Sequence, residues 1–343
     1  MHLLKIHFLS YVLLSLMILL AWIWGTLALF YAGPVSAWRR YALVVLFIAA
    51  LPLAFYLTGS YWHGVIVLGS VFTGLLLWWH SLTPNNNKDW QADVARIPQG
   101  EINGEILTLH NVRNFAYRTR EDYAPHWETR RYDLSQLCSL DLFISYWGLR
   151  HIAHTILSWG FENGDHLAIS IETRKTRDQS YSSIKGFFKQ FNLVYVAADE
   201  QDLIQLRTNV RREEVYLYPL LNVPPQRART LLESYVRHMN KLVHQAEFYH
   251  ALIMNCTSGI TSHMKIIDPD VSFTDWRLLA NGHIDEMLYE HALIRTDRPF
   301  AEIRQLSRVD QRMQQQVVTN FSAQVREVVV KQKSSNTEMH HAD

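Results

Sequence analysis

The distribution of charge along the chain is the feature that most constrains its fold. No lysine, arginine, aspartate or glutamate lies between Tyr41 and Asn87, and Lys5 alone precedes Arg39. Soluble cores rarely contain uncharged stretches of this length, whereas a membrane requires about 20 consecutive apolar residues for each helix that crosses it. The sequence therefore predicts a membrane segment that is joined to a separate, water-soluble domain.

The membrane segment divides into three predicted helices. Apolar runs cover residues 9–32, 41–58 and 62–80, and Gly33-Pro34 breaks the chain after the first run. Each run approaches or exceeds the length that crosses roughly 30 Å of hydrocarbon, and tryptophan and tyrosine at the run ends are typical of membrane interfaces. We therefore expect a three-helix anchor over residues 1–83.

The basic residues that flank these helices bear on the orientation of the chain. With three crossings, Lys5 lies on one side of the membrane, and the other side carries Arg39, Arg40, Lys88 and Arg96. Lysine and arginine are enriched in cytoplasmic loops. This count by itself favours a cytoplasmic position for the soluble domain.

The remainder of the chain has the composition of one globular domain. We expect a linker at 84–89, a domain at 90–312 that is long enough to bury one core, and a mobile polar tail at 313–343. The net charge of +1, with acidic and basic residues interspersed, gives no reason to expect a nucleic-acid partner. Cys138 and Cys256 are too few for a disulfide framework.

A β-hairpin is the clearest element of this domain. Residues 153–161 and 166–174 have the pattern of strands, and Glu162-Asn163-Gly164 lies between them. A two-residue Asn-Gly turn is one option. A three-residue loop with Gly164 in the left-handed conformation instead gives one consistently apolar face, so we favour it. On the other face that register pairs Ser158 with Ala168, Ile156 with Ser170, and His154 with Glu172.

These residues suggest a thiol site. Asn255 is a good N-cap, so Cys256 is predicted to open a helix, where the partial positive charge favours a thiolate. His154 could act as the base, Glu172 could orient the imidazole, and backbone N–H groups at the helix start could bind an oxyanion. The alternative is that Cys256 is a small buried hydrophobic residue.

A metal site is a further alternative for the histidines and cysteine. The candidate ligands are His151, His154, His250, Cys256 and His263. Their spacing is not a recognised zinc pattern, and His151 and His154 fall on opposite faces of a strand. We therefore expect neither a metal ion nor a cofactor.

Several segments, in this order along the chain, resemble the Lnb N-terminal periplasmic domain family of bacterial membrane proteins. They are residues 111–115, 154–161, 168–174, 195–202, 247–249 and 255–257. The resemblance covers roughly residues 90–306. Met254 and Ser258 stand where the family motif usually has asparagine and threonine, and neither departure removes a candidate catalytic group.

The resemblance implies an α+β fold: a three-helix transmembrane anchor followed by a circularly permuted papain-like domain. This order of residues, with histidine before cysteine in the chain, is similar to that of the NlpC/P60 and lecithin:retinol acyltransferase-type thiol enzymes. The resemblance implies that Cys256 is the nucleophile, His154 the base and Glu172 the possible third member of a catalytic triad. Residues implied to bind the substrate or support the site are Arg174, Ser170 and Asn255.

The same resemblance implies acyl transfer to or from lipid or lipoprotein through a thioester on Cys256, without a cofactor. It places the chain in the bacterial inner membrane with the domain in the periplasm, opposite to the charge count. Two alternatives stay open: a cysteine hydrolase, such as a peptidase or amidase, and a non-catalytic membrane-bound binding domain. The second predicts that replacement of Cys256 leaves function intact.

Overall fold

The computed structural model describes residues 2–148, 150–250, 266, 275–278, 280–314 and 320–327. The chain divides into two compact units. The anchor unit comprises Met1–Asn85 and Tyr181–Phe191. The sheet unit comprises Asn86–Ser180 and Asn192–Asp343.

Three long helices make up most of the anchor unit: α1 (His2–Ala32), α2 (Ala37–Thr58) and α3 (Tyr61–Ser81). All three are long and apolar enough to cross a membrane, α1 over Phe8–Ala32. Gly59, in the left-handed conformation, caps α2 and returns its N–H to the carbonyl of Phe55. The three helices predicted from the apolar runs are therefore confirmed.

Aromatic residues hold the anchor helices together. The ring of Trp22 stacks on Phe47 at 4.3 Å, and the indole N–H donates to the carbonyl of Phe47 at 2.7 Å. The short helix α4 (Ser183–Phe187) also belongs to this unit, where Phe188 stacks on Tyr31 at 5.3 Å. The connection between two strands of the sheet thus belongs to the anchor unit.

The sheet unit is built from strands followed by helices. Its strands are β1 (Gln99–Asn103), β2 (Ile106–Arg113), β3 (Ala116–Tyr117), β4 (Tyr123–Ala124), β5 (Trp127–Asp133), β6 (Leu137–Tyr146), β7 (His154–Phe161), β8 (His166–Arg174), β9 (Asn192–Ala198) and β10 (Glu214–Pro219). Its helices include a π-helix (Gln201–Val210), α5 (Pro225–His244), α6 (Ile284–Glu290), α7 (Phe300–Ser307) and α8 (Asp310–Met313). The predicted α+β class is confirmed.

The main sheet has the strand order β1-β2-β9-β8-β7-β6-β10, and β5 pairs with β2. Neighbours are antiparallel, apart from the parallel contact between β2 and β9. The strands β3 and β4 form a separate ribbon. The hairpin β7–β8 therefore lies inside the sheet, where its side chains are covered on both faces.

The register of this hairpin is the one favoured by the sequence pattern. Ser158 pairs with Ala168, and Ile156 pairs with Ser170. Gly164 has φ +87°, a conformation that glycine adopts without steric cost, and its N–H donates to the carbonyl of Phe161 at 2.9 Å. The prediction of a three-residue loop with a left-handed glycine is confirmed.

Because side chains alternate across a strand, the sheet has two different faces. One face packs on α5, where the indole N–H of Trp159 donates to the carbonyl of Ala228 at 2.9 Å. The other, here the site face, has an apolar centre that includes Phe143, Ile156 and Val196. Polar side chains lie at both ends of the site face.

Residues 321–327 are helical and pack against this apolar centre. Phe321 and Val325 are buried in the same core cluster as Ile156. This packing corrects the interpretation of residues 313–343 as a polar tail, because the segment 320–327 contributes two core side chains. The sequence pattern concealed them, since polar residues flank both: Asn320 and Ser322 beside Phe321, and Gln324 and Arg326 beside Val325.

Candidate active site

His154 begins β7 and lies at one end of the site face. Its Nε2 atom is 3.1 Å from Glu172 Oε1 and 2.6 Å from Ser170 Oγ. Ser170 in turn donates to Glu172 Oε1 at 2.7 Å. The pairing of β7 with β8 places these side chains on one face, so the histidine and carboxylate expected to be neighbours are in contact.

Arg207 completes this group from the π-helix. Its Nη2 donates to Glu172 Oε1 at 2.8 Å, and its Nη1 donates to the carbonyl of Leu203 at 2.7 Å. The guanidinium is almost fully buried, with 3% of the side chain exposed. Sequence analysis missed this role, although an arginine among apolar positions such as Leu206 was a signal for it.

Electrostatics keep Glu172 ionised. Burial by itself raises the pKa of this carboxyl group, but the charge and hydrogen bond of His154, the charge of Arg207 and the Ser170 hydroxyl outweigh it. The pKa of Glu172 is therefore held well below its usual range. A carboxylate in this state can fix the orientation of an imidazole and stabilise its protonated form.

A second carboxylate supports Arg207 from the other side. Glu213 Oε2 accepts a short hydrogen bond from Ser145 and lies 4.0 Å from Arg207 Nε. Glu213 Oε1 is 3.8 Å from Arg211 Nη1. The guanidinium of Arg207 is thus held between two carboxylates, which fixes its position against Glu172.

A comparison with known families shows what this part of the chain resembles. Residues 123–282 match the family model of the Lnb N-terminal periplasmic domain. The resemblance inferred from the sequence is thereby confirmed over these residues. The chain thus combines three helices that are apolar enough to cross a membrane with a domain that matches a periplasmic domain family. No curated protein and no solved structure matches it.

The matched Lnb domain includes His154, Ser170, Glu172 and Arg207, and its range extends over Cys256. Cys256 and Asn255 lie outside the described residues. Their assignment to a helix start, and the circularly permuted papain-like arrangement, stay predictions.

Arg174 occupies a different environment from the one expected of a substrate-binding residue. Its Nε donates to the carbonyl of Val94 at 3.0 Å, its Nη2 to that of Ala95 at 2.7 Å, and its Nη1 to Asn86 Oδ1 at 3.0 Å. The guanidinium also stacks over the ring of Trp90 at 4.3 Å. We therefore assign Arg174 to holding residues 86–95 against β8, rather than to binding an anion.

The histidines considered as metal ligands do not converge in the described part of the chain. His151 contacts His283, with Nδ1 and Nε2 2.9 Å apart, and His263 lies outside the described residues. Among the described residues, a different group has ligand atoms within 4.8 Å of one another: Asp141, His166 and Glu200. Arg326 lies between its carboxylates, so a guanidinium already supplies the positive charge there.

Proposed function

We propose that this protein is a membrane-anchored thiol acyltransferase that uses Cys256 to transfer an acyl group from lipid or lipoprotein. The observation that carries the proposal is the contact of the His154 imidazole with an ionised Glu172 at 3.1 Å. A histidine oriented by a carboxylate is the base that a catalytic cysteine requires. The match to the Lnb domain over Cys256 supports the choice of nucleophile.

The geometry assigns a role to each atom of the imidazole. Because Nε2 faces Ser170 and Glu172, proton exchange with the thiol takes place at Nδ1 in this mechanism. The thiolate of Cys256 attacks the carbonyl carbon of an acyl ester. The C–S bond forms, the ester C–O bond breaks, and the departing alkoxide takes the proton from His154.

The second half of the reaction regenerates the enzyme. The amine of an acceptor attacks the thioester, the C–N bond forms and the C–S bond breaks. The amine proton passes to the imidazole, and the thiolate returns to its resting state. If water replaces the amine, the product is a free fatty acid and the protein is a hydrolase.

Acyl labelling of the purified full chain tests this proposal. The protein in detergent is incubated with radiolabelled phospholipid, and we expect a hydroxylamine-sensitive adduct that Cys256→Ala abolishes. Cys138→Ala is the matched control, because the pKa of the Cys138 thiol is raised by burial and by the charges of Glu162 and Asp141. That thiol is a poor nucleophile, so the control variant keeps the adduct.

Three outcomes would overturn the proposal. An adduct that persists in Cys256→Ala would assign the chemistry to another residue. If no adduct forms with phospholipid or with a diacylated lipopeptide, the protein does not transfer acyl groups through a thioester. If the adduct forms but decays to free fatty acid when a lipoprotein amine is present, hydrolysis replaces transfer.

We also propose that the chain crosses a bacterial inner membrane three times and places the Lnb domain in the periplasm. The three apolar helices and the periplasmic family match support this arrangement, whereas the basic residues Arg39 and Arg40 oppose it. Alkaline phosphatase fused after Asp343 would be active in the periplasm, and green fluorescent protein at the same position would be dark. The reverse result would place the domain in the cytoplasm.

A further inference from the structure

A polar pocket of about 360 Å³ opens within the sheet unit, beside the candidate active site. Its lining includes four cationic side chains, Arg120, Lys175, Arg177 and Arg211, and one carboxylate, Asp93. Pockets of this size accommodate small organic ligands. Ala92 and Leu206 are its aliphatic lining residues, so the pocket suits a charged group and not a hydrocarbon chain.

The cations of this pocket are incompletely neutralised. Arg177 pairs with Asp89 at 3.0 Å, but neither Arg120 nor Lys175 forms an ion pair with a described residue, and Arg211 approaches Glu213 no closer than 3.8 Å. The pKa of Arg211 is lowered, mainly by burial and then by the positive charge of nearby Arg207. The negative charge of an anion bound among these side chains would oppose both effects.

Two of the lining residues each have a polar atom with no hydrogen-bond partner among the described residues. These atoms are the hydroxyl oxygen of Tyr117 and Oδ1 of Asp93, and both are buried. Leaving such a group unsatisfied costs about 1–3 kcal/mol, so native proteins usually provide a partner. A hydroxyl can donate to an anion, but a carboxylate oxygen needs a ligand that donates. The pocket therefore suits a ligand with both an anionic and a donating group.

The arrangement of the cations favours a phosphate over a carboxylate. Arg120 lies in the loop between β3 and β4, Lys175 follows β8, and Arg211 follows the π-helix. Cations that approach from three separate elements match the several oxygens of a tetrahedral phosphate. A planar carboxylate would be bound better by one bidentate arginine.

The pocket and the candidate active site share one element. Leu206 lines the pocket, and the next residue, Arg207, bonds Glu172 at 2.8 Å. Lys175 directly follows Arg174 at the end of β8, three residues after Glu172. A head group held in the pocket would therefore lie close to the His154–Glu172 pair, where an ester of the same molecule could react.

We propose that this pocket binds the head group of a zwitterionic phospholipid, with the phosphate against Arg120, Lys175 and Arg211 and the ammonium against Asp93. The inference rests on the proposed acyl transfer and names the chemistry of its lipid donor. The hydroxyl of Tyr117 donates to a phosphate oxygen. The unsatisfied oxygen of Asp93 accepts from the ammonium.

Calorimetric titration with soluble head groups tests the pocket without requiring catalysis. The full chain carrying Cys256→Ala, in a non-ionic detergent, is titrated with glycerophosphoethanolamine, glycerophosphoglycerol and inorganic phosphate. We expect glycerophosphoethanolamine to bind most tightly, and Arg211→Gln or Lys175→Gln to weaken it at least about tenfold, the usual effect of losing a charged hydrogen bond. Asp93→Asn should weaken glycerophosphoethanolamine about fivefold and leave glycerophosphoglycerol within about twofold.

Arg118→Gln is the matched control, because Arg118 lies two residues from Arg120 and is paired with Asp122 outside the pocket. It should leave all affinities unchanged. Equal binding of the three ligands would reduce the pocket to a general anion site and overturn the assignment. The absence of binding, or equal losses in Arg118→Gln and Arg211→Gln, would also overturn it. Since Cys256 is already absent, head-group binding can fail or succeed independently of the acyl adduct.

Discussion

The site face carries two clusters of almost the same composition, one at each end. The Glu172 cluster consists of His154, Ser170, Glu172 and Arg207. The Glu200 cluster consists of His166, Ser158, Glu200 and Arg326, together with Asp141. In each cluster a serine hydroxyl and an arginine both bond the glutamate, at one end through Ser170 and Arg207 and at the other through Ser158 and Arg326.

The two clusters differ in exposure and in the partner that neutralises the carboxylate. The Glu172 side chain is 26% exposed and shares one oxygen among His154, Ser170 and Arg207. The Glu200 side chain is fully buried, and both of its oxygens accept from Arg326, at 2.6 and 2.8 Å. One carboxylate thus contacts an imidazole, and the other is saturated by a guanidinium.

This difference shows that side-chain composition alone does not identify a site. A buried carboxylate that is chelated by arginine is costly to disturb and has no capacity left for a reacting group. A partly exposed carboxylate that contacts histidine can orient that histidine during proton transfer. We therefore assign chemistry to the Glu172 cluster and a structural role to the Glu200 cluster.

The largest expected effect comes from Arg326→Gln. Loss of this guanidinium leaves Asp141 and Glu200 buried without a compensating charge, which typically costs about 3–5 kcal/mol. Chemical unfolding of the full chain in detergent, followed by tryptophan fluorescence, measures the change. A loss below about 1 kcal/mol would mean that the 320–327 segment is not needed to hold the Glu200 cluster.

His154→Gln should reduce activity strongly while keeping the fold. Glutamine can still bond Glu172 but cannot accept the thiol proton, so acylation of Cys256 should slow by on the order of 10²-fold. His166→Gln, at the other end of the face, should change the rate by less than about twofold. The initial rate of adduct formation measures both. Equal slowing in the two variants would contradict the distinction between the clusters.

The dependence of the free energy of unfolding on pH below about 5 should also distinguish the two clusters. The pKa of Glu172 is lowered in the folded protein, so its contribution is present above the ordinary glutamate pKa of about 4.3 and is lost as the pH falls through the folded value. Glu172→Gln should therefore flatten the loss of stability below about pH 5. A variant that loses stability as steeply as the unmodified protein would contradict this assignment.

Asp141 should behave in the opposite way. Burial raises the pKa of this carboxyl group despite the charge and hydrogen bonds of Arg326, so folding favours its protonated form. The contribution of Asp141 to the free energy of unfolding therefore grows as the pH falls. Asp141→Asn should make the loss of stability at acid pH steeper. The free energy of unfolding, measured at a series of pH values between about 3 and 7, would show whether the loss is flatter in Glu172→Gln and steeper in Asp141→Asn.

The smallest change in the free energy of unfolding is expected from Arg298→Gln. This variant shows how much an exposed ion pair contributes, against which the buried clusters can be compared. Arg298 and Glu302 are partly exposed and 3.5 Å apart at positions i and i+4. Exposed pairs of this kind contribute a few tenths of a kcal/mol. A change above about 1 kcal/mol would show that exposed pairs stabilise this protein more than the comparison assumes.

The sequence by itself determined the features that depend on local pattern. The three apolar helices follow from the length of uncharged chain, which no tertiary contact can alter. The register of β7 and β8 follows from period-two alternation and from Gly164, because a slip by one residue would expose the apolar face. The same register puts His154 and Glu172 side by side, so their contact also follows from local pattern.

Only the tertiary structure decided how the buried charges are paired. Arg207 reaches Glu172 from 35 residues away, and Arg326 reaches Asp141 from 185 residues away. Arg174 lies on the same face of β8 as Glu172, yet its guanidinium bonds the carbonyl of Val94, 80 residues earlier in the chain. Local periodicity specifies the face of a strand on which a side chain lies. The packing of distant segments decides which charges are desolvated there and which partner each one meets.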